Sequence, residues 1–203
     1  MSHTFAKPLA RLAVLASGRG THLRNLHNAC QQGTLGAEIC LLVSNNKNSG
    51  AWQYATSEDL PLWLYNTRAD GPGGANDQAL KECLIEHRID WVITAGYLKK
   101  IGPNTLAAFP NKIINIHPSL LPKYGGAGMY GQHVHQAVLA ANETQSGATV
   151  HYVTTHYDEG AIIAQNHVTI AQGMTPDSLA EAILRVEHPL LVQALQGLLT
   201  HHD

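Results

Sequence analysis

The chain has 203 residues, 44% of them apolar and only 14% charged, with 18 glycines and a formal net charge of −2. That length fits one domain able to bury roughly 70% of its unfolded surface, and the composition excludes a disordered chain. Its scattered basic residues exclude a bare electrostatic grip on nucleic acid or anionic lipid, which leaves small molecules as the expected partners.

In chain order, Leu12-Ala13-Val14-Leu15-Ala16 predicts a strand, Ser17-Gly18-Arg19-Gly20-Thr21 a glycine-rich turn, and Leu23, Leu26 and Ala29 a helix. Residues 39–43 predict a second strand that ends in Ser44-Asn45-Asn46-Lys47-Asn48, and Leu62-Trp63-Leu64-Tyr65 a third after Pro61. Asp70-Gly71-Pro72-Gly73-Gly74 reads as a loop. Asn76 is the expected N-cap of a helix whose stripe is Leu80, Cys83, Leu84 and Ile85. Trp91-Val92-Ile93-Thr94 is a continuous apolar run of the kind found in strands buried on both faces. A helix over residues 103–109 and a strand at Ile113-Ile114-Asn115-Ile116 follow.

Strands alternating with helices predict βαβ units and a parallel sheet with right-handed crossovers. Residues 148–154 and 161–170 are β-rich without a helix between them, which predicts an antiparallel extension. A last amphipathic helix is expected over residues 177–199, and Trp52, Trp63 and Trp91 in or near the core. The expected fold class is α/β, a Rossmann-like three-layer arrangement with a mostly parallel sheet, as a single domain over residues 1–203.

Cys30, Cys40 and Cys83 form no CxxC pair, and their odd number argues against a disulfide framework. No apolar run approaches the roughly 20 residues of a membrane span. The opening MSHTFAKPLA lacks the order of a secretory signal, so a cytoplasmic protein is expected. Thirteen histidines raise the question of a metal, but His133, His135, His151 and His156 have no HExxH or Cys-paired spacing, and no metal is expected.

Two segments carry chemistry. In Gly18-Arg19-Gly20-Thr21-His22-Leu23 the third glycine of a dinucleotide fingerprint is replaced by Leu23, and no acidic residue ends the second strand, so NAD binding is disfavoured. A turn of free N–H groups at a helix N-terminus, with the Arg19 charge and the Thr21 hydroxyl, suits a phosphate monoester. In Asn115-Ile116-His117-Pro118-Ser119-Leu120-Leu121-Pro122, strand alternation puts Asn115 and His117 on one face, and Pro118 stops the ladder beyond them. An amide donor beside an imidazole can stabilise an oxyanion. Asp158, in the turn His156-Tyr157-Asp158-Glu159-Gly160, is expected to fold back on His117, raise its pKa and keep it cationic near neutral pH.

The Asn115 to Pro122 block, followed by Asp-x-Gly and an Ile-Ile-x-Gln strand, resembles the folate-dependent formyltransferases. The Gly18 to Leu23 turn and Glu187-His188 are similar to the glycinamide ribonucleotide branch of that family. The resemblance implies a formyltransferase fold and transfer of a formyl group from 10-formyltetrahydrofolate, a co-substrate and not a permanently bound cofactor, to the amine of glycinamide ribonucleotide. It implies catalytic roles for Asn115, His117 and Asp158, a phosphate turn of Arg19, Gly20, Thr21 and His22, and ribose recognition by Glu187. It also implies a folate-binding segment of Tyr97, Leu98, Lys99, Lys100 and Ile101, joined by Asn115 and Arg68. Residues 1–100 then form the phosphate-binding half, and residues 101–203 the folate-binding and catalytic half.

Two departures stand out: His22 where the family commonly has Asn, and Lys99 where Arg is frequent. The glycine-rich run 123–131 reads equally as a closing loop or a surface turn. The alternatives are a formyltetrahydrofolate hydrolase with the same three catalytic residues, a methionyl-tRNA formyltransferase, and a non-catalytic folate- or nucleotide-binding module. The first two are disfavoured because such proteins carry an additional domain. Nucleic-acid and membrane partners are not expected, and the protein is expected to be a monomer or a homodimer.

Overall fold

The computed structural model describes residues 8–65 and 73–200. Strands β1 (Ala10–Leu15), β2 (Ala37–Ser44), β3 (Leu62–Leu64), β4 (Trp91–Ala95) and β5 (Ile113–His117) are parallel. β6 (Gln145–Tyr152) and β7 (Ile162–Thr169) each run antiparallel to their predecessor. Together they form one sheet in the order β3-β2-β1-β4-β5-β6-β7.

The helices are α1 (Thr21–Gln31), α2 (Gly50–Ser57), α3 (Ala75–Glu86), α4 (Pro103–Ala108), α5 (Gln132–Ala140) and α6 (Pro176–Thr200). Strand alternation sorts the continuous apolar runs onto two faces. Leu12, Val14, Ile93, Ile114 and Ile116 meet Leu23, Leu26, Val134, Val138, Ile183 and Leu191 from α1, α5 and α6. Ala13, Leu15, Val92 and Ile113 meet Leu80, Leu84 and Phe109 on the side of α3 and α4. The result is three layers, as expected from the alternating pattern.

Chain order reverses direction across the sheet between β1 and β4, and ligands of open α/β sheets bind at the carboxyl ends of strands at such a point. Here the turns after the two strands are tied together. Ser17 N donates to the Gly96 carbonyl at 3.1 Å, and Leu98 N donates to Ser17 Oγ at 3.1 Å.

Some local expectations are corrected. Gly74, not Asn76, caps α3, and Ile85 is 53% exposed because the buried stripe of that helix runs through Asp77, Leu80, Cys83 and Leu84. Two helices carry weak periodicity. α2 buries only Ala51 and Ala55 and begins where Ser49 Oγ accepts from Trp52 N, and α5 follows a glycine-rich run that masks its Val134–Val138 stripe.

Candidate active site

β5 ends at His117, and its neighbours determine what Asn115 can do. Asn115 is in register with Thr94 of β4 on one side and His151 of β6 on the other. His151 Nδ1 lies 2.9 Å from the Tyr152 carbonyl, which can only accept, so that nitrogen carries a proton. Asn115 Nδ2 lies 3.0 Å from His151 Nε2, while Thr94 Oγ1 donates to Asn115 Oδ1 at 2.7 Å. Thr94 Oγ1 also reaches the Ile114 carbonyl at 3.2 Å, so it is the Asp158 carboxylate, an acceptor only, 3.5 Å from Nδ2, that selects this orientation of the amide.

Asp158 adopts a left-handed φ of 58° in the turn before β7, which folds its carboxylate back over β5. Oδ2 accepts from Gly126 N at 2.9 Å and stands 3.5 Å from His117 Nδ1. Oδ1 stands 3.5 Å from both Asn115 Nδ2 and His151 Nε2. The carboxylate is thus loosely central to three side chains, and contacts of that length tighten when a ligand fills a site. Burial pushes the Asp158 carboxyl up, but His151, His117 and the Gly126 amide together hold it below its ordinary range.

His117 is 4% exposed. Its Nε2 donates to the Tyr124 carbonyl at 2.8 Å, so the neutral ring carries its proton there and turns a bare Nδ1 toward Asp158. The expectation that Asp158 keeps this ring cationic near neutral pH is corrected. Burial lowers the His117 pKa by more than Asp158 and the Tyr124 carbonyl raise it, and the net direction is below the ordinary histidine value. The imidazole of the free protein is therefore mainly neutral at pH 7.

Asn115, His117 and Asp158 share one cavity of about 310 Å³ with Tyr97, Leu98, Lys99, Lys100 and Ile101. Tyr97 packs edge-on against Tyr65 at 6.2 Å, and burial raises its phenol pKa. Lys100 Nζ lies 5.6 Å from the centre of the exposed Tyr157 ring, which also lines the cavity. Arg68 lies outside the described residues.

The glycine-rich turn is built as its sequence requires. Gly20 caps α1 with φ 75°, and a Cβ there would stand 2.5 Å from Ala51 Cα, so a side chain fits neither the backbone nor the space. Arg19 is exposed and Thr21 opens the helix. In the same turn His22 Nε2 meets Glu187 Oε2 at 3.3 Å, and Asn25 Nδ2 donates to the His188 carbonyl at 2.9 Å, docking α1 on α6. Glu187 is 6% exposed, although it lies on a helix. These residues lie outside the lining of the cavity, yet the Glu187 charge acts on both His117 and the buried His135 of α5.

A formyl transferase family model matches residues 10–195. The chain belongs to that family. This formyl transferase is 39% identical over 186 residues to a chloroplastic phosphoribosylglycinamide formyltransferase of Arabidopsis thaliana, covering 91% of this chain and 64% of that one. It is 32% identical to a phosphoribosylglycinamide formyltransferase of Haemophilus influenzae, with 91% and 86% covered. A glycinamide ribonucleotide transformylase from Symbiobacterium toebii superposes with a TM-score of 0.88 at 32% identity, over 97% of this chain and 90% of that one. The chain spans 60% to 64% of the length of the three plant relatives.

Sequence reasoning missed Thr94 and His151 as parts of this formyl transferase's site, and it quoted Gln165 only as the last residue of the Ile-Ile-x-Gln strand. Gln165 Nε2 donates to Thr149 Oγ1 at 2.9 Å and to the Leu121 carbonyl at 3.0 Å, while Thr149 Oγ1 donates to the Ser119 carbonyl at 2.7 Å. That network pins the segment after His117 to β6 and β7. The signal for Thr94 was a hydroxyl in an otherwise apolar strand, and for His151 its place opposite Asn115 once β5 and β6 are paired.

Proposed function

We propose that this chain transfers the formyl group of 10-formyltetrahydrofolate to the amine of glycinamide ribonucleotide. The observation that carries the reading is the convergence of Asn115, His117 and Asp158 on one cavity, at the carboxyl ends of β4 and β5. The catalytic, folate and ribonucleotide assignments of individual residues are part of the same proposal. The folate lies along residues 97–101 with its formyl carbon beside Asn115. The phosphate sits on the turn of Arg19, Gly20 and Thr21, and the ribose meets Glu187 with His22. Both halves of a single domain then contribute to the ribonucleotide subsite, since His22 and Glu187 touch.

The substrate amine attacks the formyl carbon to give a tetrahedral adduct with an oxyanion. The Asn115 amide turns a hydrogen to that oxygen, exchanging its 3.5 Å contact with Asp158 for a shorter one. The attacking nitrogen passes a proton to the bare Nδ1 of His117, where Asp158 holds it, and the resulting imidazolium offsets the oxyanion. The same proton returns to N10 as the carbon–nitrogen bond breaks and the oxyanion collapses to the amide. The reaction uses no covalent enzyme intermediate.

A cytoplasmic location belongs to this reading. Among the described residues no helix is long and apolar enough to cross a membrane. The test is release of tetrahydrofolate followed by absorbance, with and without glycinamide ribonucleotide. Release that depends on the ribonucleotide supports transfer. Release without it indicates hydrolysis, and none in its presence indicates a binding protein.

A further inference from the structure

His117 is oriented by a carbonyl whose own position is unusual. Tyr124 has a left-handed φ of 57°, a conformation that costs a non-glycine residue roughly 1–2 kcal/mol and needs support from its surroundings. Part of that support is local: Ser119 Oγ donates to the Lys123 carbonyl at 2.6 Å, and Gly126 N donates to Asp158. Gly125 lies so close to Leu121 and Asp158 that a Cβ there would stand 2.5 Å from Leu121 Cδ2. The remaining support comes from a distant residue. The Tyr124 hydroxyl donates to Glu143 Oε1 at 2.9 Å, in the turn between α5 and β6. Lys123 Nζ donates to the same oxygen at 2.7 Å.

We propose that Glu143 is a positioning residue for His117, acting through Tyr124. It holds the tyrosyl ring, which keeps the Tyr124 carbonyl 2.8 Å from His117 Nε2. That bond leaves the proton of the neutral ring on Nε2 and the bare Nδ1 beside Asp158, the form that the proposed proton transfer requires. Neither Glu143 nor Tyr124 lines the cavity, so their action is through the imidazole. The bond from the tyrosyl group is charge-assisted. The exposed Lys123–Glu143 pair, by contrast, is of a kind that contributes little in water. Glu143 itself is drawn below its ordinary pKa by Lys123 and Tyr124, so it stays an acceptor at neutral pH. The other titratable groups acting on His117 are Asp158, His151 and Glu187, with His135 adjoining.

This inference rests on the proposed function for its kinetic part only. The decisive readout is the tautomer and titration of His117 in nitrogen-15 NMR, which needs no substrate. In the wild type the neutral ring is the Nε2–H form. E143A and Y124F are expected to give a mixture of tautomers and a lower His117 pKa, since an acceptor of the imidazolium proton is loosened. In turnover, each loses about tenfold in kcat, the size expected for one hydrogen bond, and the acid limb moves to lower pH. The KM values for both substrates change less than about twofold. The double variant is no worse than E143A, because the two residues act as one link. E143Q recovers most of the loss, since its amide oxygen still accepts the tyrosyl proton. An unchanged His117 tautomer and kcat in E143A and Y124F, with only thermal stability reduced, overturns the proposal. So does a K123A variant that reproduces the whole E143A effect. If His117 shifts as expected while no variant, nor the wild type, shows transfer, the positioning role stands and the proposed function fails.

Discussion

The Asp158 carboxylate stands 3.5 Å from His117 Nδ1, and burial of the imidazole outweighs that attraction. His117 therefore enters the proposed reaction as a neutral ring, poised to take a proton. Activity should hold near neutral pH and fall only at a pH below the ordinary histidine value of about 6.5, where the native ring takes up its proton. D158N should weaken the imidazolium and move this acid limb to lower pH, with kcat reduced about 10²-fold. A limb that moves up in D158N would contradict the sign.

The same shift acts on stability. The unfolded chain binds the His117 proton more tightly than the native protein does, so protonation favours unfolding. The stability linked to this group is complete above about pH 6.5 and is lost as pH falls through the native pKa. Urea midpoints from pH 7 down to 5 should decline less in H117Q than in the wild type. Equal declines would mean that other groups carry the acid lability.

Asn115→Ala, which removes the oxyanion donor, and His117→Ala, which removes the proton acceptor, should each lower kcat by about 10²–10³-fold. Thr94→Val tests the locked amide. It leaves Asn115 in place but removes the 2.7 Å bond that fixes its oxygen, and about a tenfold fall in kcat is expected at unchanged ribonucleotide KM. A Thr94→Val enzyme with wild-type turnover would show that the amide needs no such partner.

His22 bears on the acceptor. Its Nε2 is engaged with Glu187 and its ring lies edge-on to His188 at 5.1 Å, while burial lowers the pKa of both His188 and His135 nearby. In the proposed reading His22 and Glu187 meet the ribonucleotide, so H22N should weaken ribonucleotide binding by about tenfold in calorimetry, with folate binding little changed. An H22N protein that binds the ribonucleotide as tightly as the wild type would count against it.

Asp77 is a structural counterpart. Buried on α3, it accepts from Asn104 N at 2.8 Å, Thr105 N at 3.1 Å and Thr105 Oγ1 at 2.6 Å, capping α4 from outside that helix. D77A should cost about 2 kcal/mol of stability, measured by denaturant unfolding, with kcat changed little. A loss under about 0.5 kcal/mol would show that the cap is dispensable.

Asn115 and His117 were legible because strand alternation and Pro118 leave only one end and one face for them. Glu187 was also legible in principle. Leu179, Ile183, Leu190, Leu191, Ala194 and Leu195 form the buried stripe of α6, and Glu187 falls on it, a position where a carboxylate needs a partner. Gly20 could be read from its type alone. His135 could not, because the helix that buries it follows a run of glycines, nor could His151, whose part depends on the register of β6 against β5. The charge state of His117 was out of reach for another reason. It is a balance between burial and a 3.5 Å contact, and spacing along the chain measures neither.

Whether the formyl group reaches the ribonucleotide amine is decided by steady-state release of tetrahydrofolate by the purified protein. Release that requires glycinamide ribonucleotide, yields one formylated ribonucleotide per folate and falls at least about 10²-fold in Asn115→Ala is the predicted result. Release at the same rate without the ribonucleotide, or none with it, would contradict the account.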